Sequence, residues 1–317
     1  MKIMVTCPPM LGQIERFRPI FEAHGVELIT PPVVQTLTVE ELKDLLPQMD
    51  GWIIGDDPAN REVLTAGKAG KLKAVVKWGV GVDNVDFDAC KDLGLPVSNT
   101  PQMFGAEVAD VVVNYVIGLA RQTFQINRGV RAGEWPKPAG ISLGGKKVAL
   151  LGFGDIGRAT AKRLAAMDMV LNVYDPYAQP VDGFTFRKYP EGLEEADFVV
   201  VTCALTPETH HMVNGDSFAQ MKEGVRIVNV SRGGIIDEEA LIKSLQNGKV
   251  HSAGLDVFAV EPLPADSPLR SMDQCIFGTH NGSNTVDAVI RASHKAMHLL
   301  FGFLEMPIQE EAFNASL

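Results

Sequence analysis

Hydrophobic positions in this chain fall into two alternating series. Over the first hundred residues, short apolar runs read as buried strands: KIMVTC (2–7), VELIT (26–30), GWIIG (51–55), KAVVKW (73–78) and LPVSN (95–99). Between them IERFRPIFEAHG, VEELKDLL, REVLTAGKAG and DFDACKDLG carry helical spacing, several closed by glycine. Such alternation specifies a parallel sheet with helices on its faces. A second series supplies six more candidate strands: KVALLG (147–152), MVLNVYD (169–175), DFVVVTC (197–203), VRIVNVS (225–231), VHSAGLDV (250–257) and QCIFGT (274–279). RATAKRLAAM and EEALIKSLQNG read as helices among them.

Two further segments organise these series. QMFGAEVADVVVNYVIGLARQTFQINRGVRAGEW keeps helical apolar spacing over at least five turns and predicts a domain-joining helix. Beyond residue 284, VDAVIRASHKAMHLLFGFL is helical too. The sixth strand completes the second sheet, so this last helix is free to return to the first. The expected organisation is α/β with two parallel-sheet domains: residues 1–99 plus 285–317, and an inserted domain of residues 100–284.

Composition adds bounds. A length of 317 residues suits two domains. Hydrophobic residues make up 46% and charged residues 21%, as in an ordinary soluble globular protein. No apolar run approaches the ~20 residues of a membrane span. The opening MKIMVTCPP has one Lys and a very short apolar stretch, and reads as a first strand rather than a signal peptide. A net charge of −10 without any basic run argues against nucleic-acid partners. Cys7, Cys90, Cys203 and Cys275 are far apart, with no CxxC spacing. They read as free thiols of a reducing cytoplasm, with no metal site.

Residues 152–157, GFGDIG, form a G-x-G-x-x-G between a buried-type strand and a helix. Glycine spacings alone arise by chance; the strand–turn–helix context gives this one a mechanism. Gly152 permits the tight turn, Gly154 lets the backbone approach a pyrophosphate, and Gly157 allows close helix–strand packing. With Asp155 and Ile156 they open a helix whose free N–H groups favour phosphates. Asp175, eighteen residues past Gly157, is placed to bind ribose hydroxyls and would repel a 2′-phosphate. The expected cofactor is therefore NAD rather than NADP.

Ligands of open α/β sheets bind beyond the carboxyl ends of the strands. At that edge the sequence places Cys203 and Ala204, then Thr209, after the third strand of the second series. Val230, Ser231 and Arg232 follow the fourth, Asp256 and Glu261 the fifth, and His280 and Gly282 the sixth. The chemistry of these groups converges. Oxidising a hydroxyl needs a base, and His280 is the natural group. A nearby carboxylate, Glu261, would raise its pKa and fix the ring. Arg232 could clamp a substrate carboxylate with two hydrogen bonds. Asp256 is placed to touch the nicotinamide side. Each residue has a bland structural reading by itself; their joint placement outweighs it.

These segments together resemble the D-isomer-specific 2-hydroxyacid dehydrogenases. The resemblance is carried by GVGVDNVD (79–86), NTP (99–101), AEVAD (106–110), GFGDIG with Asp175, LTPETHHMVN (205–214), VNVSRGGIIDEEAL (228–241), AGLDVFAVEPL (253–263) and THNGS (279–283). It implies a Rossmann NAD-binding domain inserted into a flavodoxin-like substrate domain, both doubly wound. It implies catalysis by Arg232, Glu261 and His280, and substrate contact from the backbone of Val80 and Gly81. It also implies a homodimer built through the long helix after Gly105. Two departures stand out: Thr202-Cys203-Ala204-Leu205-Thr206 replaces the common His-x-Pro-Leu-Thr, and Asn281 follows the histidine where many members carry an apolar residue. Glu261 favours a hydroxyacid over formate, since formate dehydrogenases of this superfamily usually carry Gln there.

The expected activity is reversible NAD-dependent oxidation of a D-2-hydroxy acid to a 2-keto acid. Within that class 3-phosphoglycerate is the leading specific candidate, to compare with glyoxylate, hydroxypyruvate and lactate-like acids. Asp56 and Asp57 after GWIIG are two acids near the substrate edge and disfavour a phosphate. The rival from another class is a non-enzymatic NAD(H)-sensing, corepressor-like protein, which an intact triad argues against.

Overall fold

The computed structural model describes residues 1–316 and divides into two compact units. The first comprises residues 1–103 with 284–316, and the second residues 104–283. Each is built on one parallel sheet.

The first unit has strands β1 (Lys2–Val5), β2 (Glu27–Ile29), β3 (Gly51–Ile54), β4 (Ala74–Lys77) and β5 (Val97–Asn99). Their order is β2-β1-β3-β4-β5, all parallel, the flavodoxin-like arrangement. Strands β3 and β4 are buried at every position, because helices cover both faces. The final long helix, Val286–Phe303, packs here: Trp78 Nε1 donates to Ser293 Oγ at 3.1 Å, and Leu300 lies against Gly51.

The second unit holds β6 (Lys147–Leu151), β7 (Val170–Tyr174), β8 (Thr185–Phe186), β9 (Phe198–Val201), β10 (Val225–Asn229), β11 (Val250–Leu255) and β12 (Cys275–Phe277). The order is β12-β11-β10-β9-β6-β7-β8, again all parallel. Strand order reverses between β6 and β9, so the crevice for a dinucleotide opens where those two strands end. The short β8 has no sequence signal: TF within GFTFRKY is too brief to show alternation.

One expectation is corrected. The long segment after residue 102 is not a single helix but two, Gly105–Arg121 and Thr123–Arg131. Gln122 between them adopts a left-handed conformation (φ 54°), which ends the hydrogen-bond ladder. The chain turns there so that the Phe124 ring packs over Gly118, where a Cβ would lie 2.8 Å from it. The apolar period continues through the break, so the sequence does not show it.

The four cysteines are unpaired, and three of them are buried. Burial pushes the thiols of Cys90, Cys203 and Cys275 up to about 11, which makes them poor nucleophiles. Among the described residues, no helix is long and apolar enough to cross a membrane.

Phe313 and Ser316 pack against a histidine cluster on the last helix. His294 Nε2 meets Ser316 Oγ at 2.7 Å, and its ring packs edge-on to Phe313. Burial first, then the neighbouring His298 and Arg16, hold His294 below the ordinary imidazole value of 6.5, with Glu310 opposing them. The unfolded chain therefore takes up this proton first as pH falls. The stabilisation is complete above about 6.5 and is lost on acidification. The melting temperature should fall between about pH 7.5 and 5.5, and by less in His294→Gln. An identical fall in both proteins would contradict this account.

Candidate active site

The glycine turn at the end of β6 is shaped by contact with its neighbours. Gly152 has φ 97°, and a Cβ there would lie 2.5 Å from the backbone nitrogen of Cys203 at the end of β9. The switch-point strands thus touch through bare backbone. A Cβ on Gly157 would collide with the carbonyl of Gly152. Gly154 is different: its missing side chain would meet nothing within 4 Å. It opens the helix Asp155–Ala165, whose first turn has no side-chain cap. Open backbone at an uncapped helix N-terminus fits a pyrophosphate.

Asp175 follows β7 and braces this turn. Its Oδ2 accepts from Phe153 N at 2.7 Å, while Oδ1 accepts from Tyr177 N and Ala178 N at 2.9 and 3.0 Å. A carboxylate oxygen has two acceptor sites, so Oδ2 retains one for a ribose hydroxyl. Asp155 adds a second acid; its carboxylate packs against Gly105 at the start of the helix Gly105–Arg121. Two helix N-termini favour a negative charge there.

Beyond β9, Thr209 Oγ1 donates to Ala204 O at 2.7 Å and fixes the loop that follows Cys203. Ser231 Oγ donates to Cys203 O, which links the ends of β9 and β10. Asn229, the last residue of β10, accepts from Ser231 N at 3.0 Å and donates to Arg232 O at 2.9 Å. Val230 is buried. Gly233 permits the Arg232 turn to press against residues 258–259, where any Cβ would collide with the Phe258 backbone.

Arg232, Glu261 and His280 come together in the second unit. Glu261 Oε2 lies 2.8 Å from His280 Nδ1, and its Oε1 accepts from Phe258 N at 2.9 Å. Arg232 Nη1 stands 3.5 Å from His280 Nε2 and donates to Ser231 O at 2.9 Å. These partners set the tautomer. Nδ1 carries the proton toward Glu261, and Nε2 presents a lone pair on the guanidinium side. Both acidic and imidazole side chains are only about a fifth exposed, at 19% and 22%.

His280 itself adopts φ 53°, a left-handed conformation that few non-glycine residues take up. Asp256 holds it there. The Asp256 carbonyl accepts from His280 N at 2.6 Å, and its carboxylate accepts from Asn281 N at 3.3 Å and Gly282 N at 2.9 Å. Tyr115 OH adds a longer bond of 3.4 Å to the same carboxylate. Burial, reinforced by Asp256, pushes the Tyr115 hydroxyl pKa upward, so it stays a donor. Gly254 and Gly278 leave the room that the Tyr115 side chain occupies. Asp256 is 3% exposed, and Gly282 is buried against Asp256 and Val108.

Sequence reasoning missed Tyr115 and Asn229. Tyr115 lies inside the apolar stripe of a helix and carries no local signal. Asn229 had one: it is a polar residue ending the buried run VRIV. Val80 and Gly81 lie in the first unit, on the loop after β4. Asn99 Nδ2 donates to Val80 O there at 2.9 Å.

The close approach at Gly157 gives a direct test. Gly157→Ala is expected to cost about 1–3 kcal/mol of stability, as overpacking does. It should also weaken NADH binding, measured by nucleotide fluorescence, because the helix must move off the turn. A variant with unchanged melting and unchanged NADH affinity would refute this role.

Residues 113–282 match the family model of the D-isomer specific 2-hydroxyacid dehydrogenase, NAD binding domain. A hydroxypyruvate reductase of Thermotoga maritima is 36% identical over 272 residues, covering 84% of this chain and 88% of that protein. The chloroplastic D-3-phosphoglycerate dehydrogenase 2 of Arabidopsis thaliana is 35% identical over 289 residues. That match covers 89% of this chain but only 46% of the plant protein, so the chain spans about half its length. The crystal structure of TT0316 protein from Thermus thermophilus superposes with a TM-score of 0.85 at 30% identity, covering 96% of this chain and 97% of that one. With its parallel sheets, glycine turn and Arg–His–Glu arrangement, this chain belongs to the D-isomer specific 2-hydroxyacid dehydrogenase family.

Proposed function

We propose that this protein catalyses the reversible NAD-dependent oxidation of a D-2-hydroxy acid to a 2-keto acid. The observation that carries the proposal is the line from Glu261 through His280 to Arg232. Gly152, Gly154, Asp155, Ile156, Gly157 and Asp175 would hold the dinucleotide. Cys203, Ala204, Thr209, Val230, Ser231, Asp256 and Gly282 complete the edge around it. When bound, NAD supplies the hydride acceptor.

The chain's own residues handle the carboxylate and the proton. Arg232 binds the substrate carboxylate with two N–H groups. The Val80 and Gly81 backbone contributes further contacts to the same acid. His280 Nε2 takes the proton of the substrate hydroxyl as its O–H bond breaks. Glu261 accepts the Nδ1 proton in a hydrogen bond and so stabilises the resulting imidazolium. In the direction of reduction the same imidazolium returns its proton to the new alkoxide.

Two features support a cytoplasmic homodimer. Free, buried thiols suit a reducing cytoplasm. Ile117, Val130 and Trp135 are exposed on and beside the helix pair after Gly105, with Trp135 at 77%. An apolar surface of that kind suits a homodimer formed through these helices.

NADH oxidation at 340 nm with a panel of 2-keto acids tests the reading. His280→Ala is expected to lose at least ~10²-fold in turnover with cofactor affinity retained. Glu261→Gln should change the pH dependence of turnover more than the KM. NADH binding without turnover of any acid would replace the enzyme by a nucleotide sensor. Light scattering should give twice the chain mass, and Trp135→Glu should shift it toward the monomer.

A further inference from the structure

Residues 309–316 close over three histidines of the first unit. Their short helix, Glu310–Asn314, inserts one apolar side chain, Phe313, which is buried. Around that ring stand His24, His294 and His298, at 6.0, 5.3 and 4.0 Å between ring centroids. Phe301 lies beyond them at 6.3 Å. The histidines come from two elements distant along the chain. His24 caps the helix Ile14–Ala23, while His294 and His298 sit one turn apart on the final long helix.

The polar anchors of the segment run through the same side chains. Gln309 N donates to His24 Nε2 at 3.1 Å, and Gln309 Nε2 donates to Ala23 O at 2.7 Å. His294 Nε2 meets Ser316 Oγ, and Arg16 Nη1 donates to Ser316 O at 3.0 Å. His298 Nε2 faces Glu310 Oε1 at 3.4 Å. The charged and titratable groups at this contact are thus Arg16 and His24 from one helix, His294 and His298 from the other, and Glu310 from the segment.

The hydrogen bonds fix which ring nitrogens carry protons. His24 Nδ1 donates to Ile20 O at 2.6 Å, so Nε2 must keep its lone pair to accept from Gln309 N. A second proton on this ring turns that acceptor into a donor and sets two N–H groups against each other. The Ser316 hydroxyl donates to Phe313 O at 2.7 Å, so His294 Nε2 is the donor toward Ser316. A second proton on His294 falls on Nδ1, in a half-buried ring near Arg16 and His298. Burial and then those two neighbours oppose it, with Glu310 opposing them. His298 acts in the other sense, because its cation would pair with Glu310. Glu310 is 68% exposed, and a pair so open to water adds little.

We propose that residues 309–316 are an acid-released strap, seated at neutral pH and freed when His24 and His294 take up protons, with the rest of the first unit still folded. The five-stranded sheet is complete without the strap. Trp78 and Leu300 tie the final long helix to that sheet through contacts the strap does not share. One buried ring and a few hydrogen bonds hold it, so it opens locally at a smaller free energy than the sheet. Its release uncovers Phe301 and the three imidazoles.

Hydrogen–deuterium exchange tests this, expressed as protection factors so that the intrinsic pH dependence of exchange cancels. Between about pH 7.5 and 5.5 the amides of residues 310–316 should lose protection by about tenfold or more, and those of β4 should not. Combining His24→Gln with His294→Gln keeps an acceptor for Gln309 N and a donor for Ser316 Oγ without a titrating ring. That double variant should hold protection constant over the range, and each single substitution should remove part of the fall. Phe313→Ala should expose the segment at both pH values while β4 stays protected. Constant protection in the unsubstituted protein overturns the proposal. A fall shared equally by β4 overturns it too, since the whole unit then unfolds together. An equal fall in the double variant removes the histidines from the mechanism, and full protection in Phe313→Ala at pH 7.5 removes the ring.

Discussion

The Asp256 carboxylate fixes the one backbone conformation on which the proposed chemistry depends. A left-handed histidine is strained by about 1–3 kcal/mol. The strain persists because Asp256 over-determines the turn, through its carbonyl to His280 N and its carboxylate to the next two amides. Glycines at 254 and 278 let Tyr115 reach that carboxylate from a neighbouring helix. The imidazole then has little freedom left, and Glu261 takes up what remains.

The same economy of backbone governs the glycine turn. Strands β6 and β9 meet where side chains would not fit, so the turn is defined by main-chain contact. Asp175 stiffens it through Phe153 N, which gives that carboxylate a structural task besides any contact with ribose. Asp155 sets a negative charge beside the uncapped helix start. Its charge opposes the attraction of that helix N-terminus for an anion.

In the first unit, charge is neutralised internally. Lys77 and Asp56 cancel at the sheet edge while Asp57 organises three separate segments, and the loop carrying Val80 and Gly81 is held by Asn84. Lys77 is buried while the Asp56 side chain stays 32% exposed, and the pair ties the end of β4 to the loop after β3.

Much of this was legible in the chain. Apolar runs of four to six residues between amphipathic helices determined two parallel sheets, because strands covered on both faces leave a continuous hydrophobic signature. Local chemistry marked GFGDIG, and strand-end positions gathered Arg232, Glu261 and His280, because parallel strands all deliver their carboxyl ends to one edge. Three features were out of reach. The break at Gln122 preserves the helical period; β8 is too short to alternate; Tyr115 looks like any core residue of its helix. The directions of Asp56 and Asp57 were equally hidden. Adjacent carboxylates are identical in sequence, and only the packing of Lys77, Thr6 and Leu37 around them sends one inward and pairs the other. Sequence determined which groups reach each edge. Tertiary structure decided which of them are already paired, since hydrogen-bond partners come from segments distant along the chain.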